Sequence, residues 1–100
     1  MTASQVVQNA AAARFELVVD GQTAHLDYQI ARDRLRLIHI EVPPEIQGHH
    51  HAEELARAAL AYARRQQLRV VPICPYMRTF LSHHPEYSAL VDEHWVPKLE

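Results

Sequence analysis

Three groups of residues in this chain could do chemistry by type and spacing. The first is Cys74 followed directly by Pro75. Proline favours the first position of a helix, which places Cys74 at the N-cap. A thiol there ionises more readily and gains nucleophilicity. The competing reading is a buried structural cysteine, the ordinary fate of a lone Cys. The second group is His39 and Glu41, which alternate with apolar residues near the end of a strand-like run and so share one face. An imidazole and a carboxylate so placed could act as a general base. The third is Gln47-Gly48-His49-His50-His51-Ala52, which runs straight into a helical pattern. A helix N-terminus offers free N–H groups and partial positive charge, and so suits a phosphate. The histidines could add charge or hydrogen bonds. An ordinary loop-to-helix turn with exposed histidines competes with that reading.

A metal site is a further reading of the triplet. Consecutive side chains diverge, so only His49 and His51 could face one ion. A third ligand would come from Glu53 or from the pair His83 and His84. The spacing matches no established zinc pattern, and no metal is expected.

The elements that must position these groups follow from the apolar pattern. FELVV from Phe15 is a short strand, and Asp20-Gly21 after it signals a hairpin. The return run puts Leu26, Tyr28 and Ile30 on one face and His25, Asp27 and Gln29 on the other, a half-buried strand. In LRLIHIEV (35–42) the apolar parity switches between Leu37 and Ile38. Either both faces are covered or one extra residue forms a bulge. Pro43-Pro44 ends that strand. Residues 52–67 carry a helical stripe of Ala52, Leu55, Ala56, Ala59, Leu60 and Ala63. LRVVPIC (68–74) reads as a strand buried on both faces. Met77, Phe80, Leu81 and His84 are spaced as one helix face, broken by Pro85, and Glu86 to His94 adds another turn or two of helix.

The fold class is therefore α/β (α+β): antiparallel strands, then a βαβ unit with a parallel pair, then C-terminal helices. Residues 1–13 read as a loose tail and 14–96 as a single domain. Residues 97–100 read as a second tail, in which Leu99-Glu100 looks like a cloning scar. In an open sheet, ligands sit beyond the carboxyl ends of parallel strands. That rule draws Cys74, His39, Glu41 and the histidine loop to one rim, where a thiol, an imidazole and a carboxylate could supply nucleophile and base.

Composition narrows the function classes. One hundred residues make one domain with a modest core. A single Cys excludes an internal disulfide framework. A formal net charge of −2 gives no basic footprint for nucleic acid. Without an apolar run of membrane length or a signal peptide, the expected partners include no membrane, and the expected compartment is the cytoplasm. An exposed sheet edge could pair with another copy, so a monomer or weak homodimer is expected.

The ordered set His39-Ile40-Glu41-Val42-Pro43, Gln47 to Ala52, Pro72-Ile73-Cys74-Pro75-Tyr76 and His84-Pro85-Glu86-Tyr87 resembles the small single-domain GNAT-like N-acetyltransferases. The resemblance spans Arg14 to Val91. It implies a GNAT-like mixed sheet and acetyl-CoA (CoA) as cofactor, with the pantetheine in a splayed gap between the two parallel strands, beside a bulge in the first. It implies that Val42 offers its backbone to the pantetheine. Gln47, Gly48, His49, His50, His51 and Ala52 would cradle the phosphates. It further implies that Cys74 is a reactive thiol and Glu41 a general base.

Two residues depart from the pattern. His50 stands where the family loop carries its central glycine, and Ile40 stands where Thr is common. A glycine permits positive φ or close approach of backbone to ligand. Histidine keeps the N–H but adds a side chain where phosphate should pass. The function implied is acetyl transfer to an unidentified amine, by direct attack assisted by Glu41 or His39, or through an acetyl-Cys74 intermediate. The alternative is a degenerate, non-catalytic CoA-binding or protein-interaction module of the same fold. A metal-responsive protein using His49 and His51 is a third reading.

Overall fold

The computed structural model describes residues 5–92. Five strands lie side by side in chain order: β1 (Val7–Asn9), β2 (Arg14–Val19), β3 (Gln22–Ala31), β4 (Arg34–Glu41) and β5 (Arg69–Pro72). The first four pair antiparallel, and β5 pairs parallel to β4. Between β4 and β5 run a 3-10 turn (Pro44–Ile46) and helix α1 (His51–Gln66). Helix α2 (Pro75–His83) and a 3-10 stretch (Pro85–Leu90) follow β5. This is the mixed sheet with a βαβ unit that the sequence predicts.

One face of the sheet meets the helices. Phe15, Leu17, Leu26, Tyr28, Leu35 and Leu37 from the strands join Leu55, Ala59, Leu60 and Ala63 of α1 and Met77 and Phe80 of α2 in a single core. The alanines keep that face of α1 narrow, so the helix lies close against the strands. Glu53 and Glu54 in its first turn and Arg64 and Arg65 in its last complement the helix dipole. The outer edge of β5 carries one parallel bridge from Val70 to Val91, and the Asp92 carboxylate accepts from Arg34 Nε at 2.7 Å.

The loose tail expected over residues 1–13 does not hold at Val7–Asn9, which pairs with Arg14–Glu16 of β2. Gln8 Nε2 donates to the Tyr28 hydroxyl at 2.8 Å, and Val6 packs against the core. The Ala run is a turn rather than helix: Ala13 N donates to Ala10 O at 3.1 Å, and Ala12 N to the Asn9 side chain. Three residues of strand are too short to show a period. The last segment is a 3-10 stretch ending at Leu90; the expected continuation to His94 and the scar at Leu99-Glu100 fall on positions outside the described residues.

The parity switch in β4 is a bulge. Tyr28 pairs with Leu37 and Asp27 with His39, so Ile38 has no partner of its own on β3. The extra residue inverts the faces beyond it. Leu35 and Leu37 point into the core before the bulge, and Ile40 and Val42 pack against it afterwards.

Candidate active site at the opening between β4 and β5

The parallel pairing of β4 with β5 stops early. Leu37 opposite Pro72 is its last pair, and there Ile73 N and Cys74 N both donate to Leu37 O, at 3.0 and 2.9 Å. The chain then turns into α2 at Pro75, while β4 runs on alone past the bulge. The two strands diverge, and the gap opens into a cavity of about 360 Å³. Ile40 and Val42 line it from β4, Gln47, Gly48, His50, His51, Ala52 and Glu53 from the loop and α1, and Tyr76 from α2. The β4 bulge, the strand gap and the helix N-terminus thus meet in one place.

The loop is shaped by two left-handed residues. Gly48 has φ +89° and His50 has φ +65°. A Cβ on Gly48 would meet no atom within 4 Å, so glycine is required there by conformation and not by space. His50 is the N-cap of α1, and its carbonyl accepts the first helical bond from Glu54 N at 3.1 Å. Its side chain makes no capping bond, and the N–H groups of His51, Ala52 and Glu53 form the open first turn. The backbone at position 50 thus takes a positive φ, the conformation a glycine there would adopt freely. The imidazole does not fill the loop: it is 85% exposed and lies 3.5 Å from the Glu53 carboxylate.

Charges around this turn are paired along α1. Arg57 donates to Glu53 Oε2 through Nε and Nη2, at 3.0 and 2.9 Å, and to the Tyr87 hydroxyl at 3.1 Å, while its guanidinium lies over the Phe80 ring. The bond from Arg57 holds the Glu53 carboxyl below its usual range, against a smaller opposing effect of burial. Burial, aided by the Glu53 charge, raises the Tyr76 phenol above its ordinary value. His51 is largely buried beside Glu54, with Nδ1 3.5 Å from Oε1, and this nitrogen makes no hydrogen bond. The His49 ring centroid lies 6.0 Å from that of His51. Val42 is also engaged: its carbonyl accepts from Gln47 Nε2 at 2.9 Å.

Cys74 is the N-cap of α2, as Pro75 predicts. It is only 3% exposed and belongs to the hydrophobic core. His39 and Glu41 lie on the opposite, open face of the sheet. They are 3.5 Å apart, with side chains 56% and 66% exposed. The structure brings His39 to Glu41, and Val42 to the histidine loop, but leaves Cys74 on the other side of the sheet from the imidazole and carboxylate. The cause is the bulge, which turns His39 and Glu41 away from the core face that Leu35 and Leu37 occupy.

The open face also holds residues that sequence reasoning did not single out. His25 pairs across the strands with Glu41, and Asp27 with His39. The His25 and Asp27 side chains approach to 3.5 Å, Arg14 reaches Asp27 at 3.4 Å, and the His25 and His39 rings are 6.4 Å apart. The polar alternation of β3 signalled a wet face, but only the register shows which residues meet. Arg57 belongs to no motif and was missed too, and Tyr76 was read only as part of the Cys74-Pro75 segment, with no place in the site. Among the described residues no group of three or more His, Cys, Asp or Glu side chains could hold a metal ion, and no helix is long and apolar enough to cross a membrane.

No curated protein matches this chain. Its fold is similar to the solution structure of a GCN5-like candidate N-acetyltransferase from Staphylococcus aureus, with a TM-score of 0.69 and 19% identity over 94% of this chain and 96% of that one. At that identity the likeness establishes the fold alone. A profile of the GCN5-related N-acetyl-transferase family matches residues 14–90, most of the chain. The chain therefore belongs to the GCN5-related N-acetyltransferase family.

Proposed function

We propose that this protein transfers an acetyl group from acetyl-CoA directly to an amine. The observation that carries the reading is the strand gap beyond Leu37 and Pro72, which opens into the same cavity as the first turn of α1. The donor set fits an extended ligand with a phosphate at one end. The N–H groups of His51, Ala52 and Glu53 would hold the pyrophosphate. The Val42 carbonyl already accepts a side-chain amide from Gln47, so it is placed to accept a ligand amide instead. Acetyl-CoA supplies a thioester-activated acetyl group.

The chain's own chemistry is proton removal and positioning. An amine must lose a proton to attack or as it attacks. His39 would take that proton on the open face, with Glu41 beside it to stabilise the imidazolium. Buried Cys74 serves the core and the start of α2, and the transfer needs no acetyl-Cys74 step. His50 gives no support to the degenerate, non-catalytic alternative, because its backbone holds the loop conformation and its side chain leaves the cradle open.

Calorimetry with CoA, on a chain free of any histidine tag, tests the reading. Saturable binding is expected, and Gly48→Val should abolish it by denying the left-handed conformation. Absence of binding at millimolar CoA would overturn the reading. Binding without acetylation of any amine would return the non-catalytic alternative.

A further inference from the structure

The histidine triplet contributes its backbone to the proposed site, while its three imidazoles have no part in the reaction. They lie around the turn that would hold the phosphates. The charged and titratable groups facing them are Glu53, Glu54 and Arg57 of α1, the Tyr76 phenol of α2, and His84 just after α2, whose charge acts on Glu53. Ile40 and Val42 of β4 bring none. With neutral imidazoles the turn carries two carboxylates against one guanidinium, an excess of negative charge next to a site for an anion. Arg57 neutralises Glu53. Glu54 has no cation of that strength among its described contacts; its ion pair is with His51.

We propose that His49, His50 and His51 make phosphate binding at this turn proton-linked: protonated imidazoles admit the anionic end of the ligand, and neutral ones leave the carboxylates to repel it. This rests on the reading of the cavity as the CoA site. Imidazole is the side chain whose charge ordinarily changes between about pH 5 and pH 8. His50 and His51 both hold Nδ1 3.5 Å from a carboxylate, close enough for attraction and too far for a committed bond. The His51 nitrogen is buried without a hydrogen-bond partner and faces the Glu54 carboxylate. His49 adds a third charge next to His51. Proton uptake on all three turns a net charge of about −1 around the turn into about +2.

The probe is dephospho-CoA, whose pyrophosphate does not titrate near neutrality, so any pH dependence belongs to the protein. Calorimetry is run on tag-free protein at about pH 6 and about pH 8. Raising one histidine's proton affinity tenfold on binding strengthens binding by up to tenfold. Binding is therefore expected to be at least about tenfold weaker at the higher pH, with proton uptake visible as a binding heat that varies with the buffer's ionisation enthalpy. The double variant His50→Asn with His51→Asn keeps hydrogen-bonding capacity and tolerates the left-handed N-cap. It should bind with little pH dependence, and its thermal melt reports whether it is folded. Equal affinity of the wild type at both pH values overturns the linkage and leaves the cofactor reading standing. Full pH dependence in the folded double variant overturns it as well. No binding at either pH overturns the cofactor reading and the linkage with it.

Discussion

Gln47 Nε2 donates to the main-chain carbonyl of Val42 at 2.9 Å, tying the histidine loop to the end of β4 at the edge of the cavity. Under the proposed function, this side-chain amide occupies the carbonyl that an amide of the pantetheine would use. Binding must therefore exchange one hydrogen bond for another, at small net gain. Gln47→Ala removes the internal competitor and is expected to raise CoA affinity by about two- to fivefold, as read by calorimetry. An unchanged or lower affinity would mean that Gln47 chiefly supports the ligand.

His50 holds φ +65° without a glycine. A left-handed L-residue carries a cost of about 1 kcal/mol that glycine avoids. His50→Gly is expected to raise the thermal midpoint by a few degrees and to leave CoA affinity near pH 8 within about threefold of wild type. A rise of tenfold or more would show that the imidazole obstructs the phosphate after all.

Cys74 lies within the core at 3% exposure. Cys74→Ala is expected to lower stability by about 1–2 kcal/mol in denaturant melts while acetylation stays within about threefold of wild type. The native thiol should react with a thiol reagent far more slowly than in the unfolded chain. Loss of turnover by three orders of magnitude would instead require an acetyl-Cys74 step.

His39 and Glu41 face solvent on the open side of the sheet. His39→Ala should reduce kcat by about a hundredfold, with Glu41→Gln somewhat milder, and CoA affinity should be unchanged in both. Equal losses in kcat and in CoA affinity would place these residues in binding rather than in proton transfer.

Glu53 contributes a pH dependence whose sign follows from its lowered carboxyl pKa, caused first by the bond from Arg57. A carboxyl held lower in the folded state stabilises the fold above its unfolded value, and that contribution is lost as pH falls through the folded one. The wild type should be more stable than Glu53→Gln at neutral pH. The difference should shrink below pH 4.5, the ordinary value for this carboxyl. Melting both proteins across that range checks it.

Much of this arrangement is legible in the residues. Leu35 and Leu37 against Ile38, Ile40 and Val42 announce a change of face, and the structure makes it a bulge. Cys74-Pro75 announces a helix start, and α2 starts there. What the sequence leaves open is which side chains end on the same face. Strand pairing is non-local, so nothing near His39 in the chain says that Asp27 lies opposite it. The same holds for Val7–Asn9, whose strand exists only because β2 is there to pair with it. Positions 39 and 41 continue the parity of the buried residues 35 and 37, and only the inserted residue turns them outward.

With that insertion, β4 runs on past the end of β5 and leaves a slot in the sheet. The cavity lies on the helix side, against Ile40 and Val42, and the His39 imidazole and Glu41 carboxylate stand on the other, so the proposed transfer would hold donor and acceptor on opposite faces. Two substrates held on opposite sides of one wall do not take turns at a shared seat. Under the proposed transfer both would have to be present before the group could pass through the slot, and the backbone of β4 would then impose a reaction with no half-reaction in the absence of the amine.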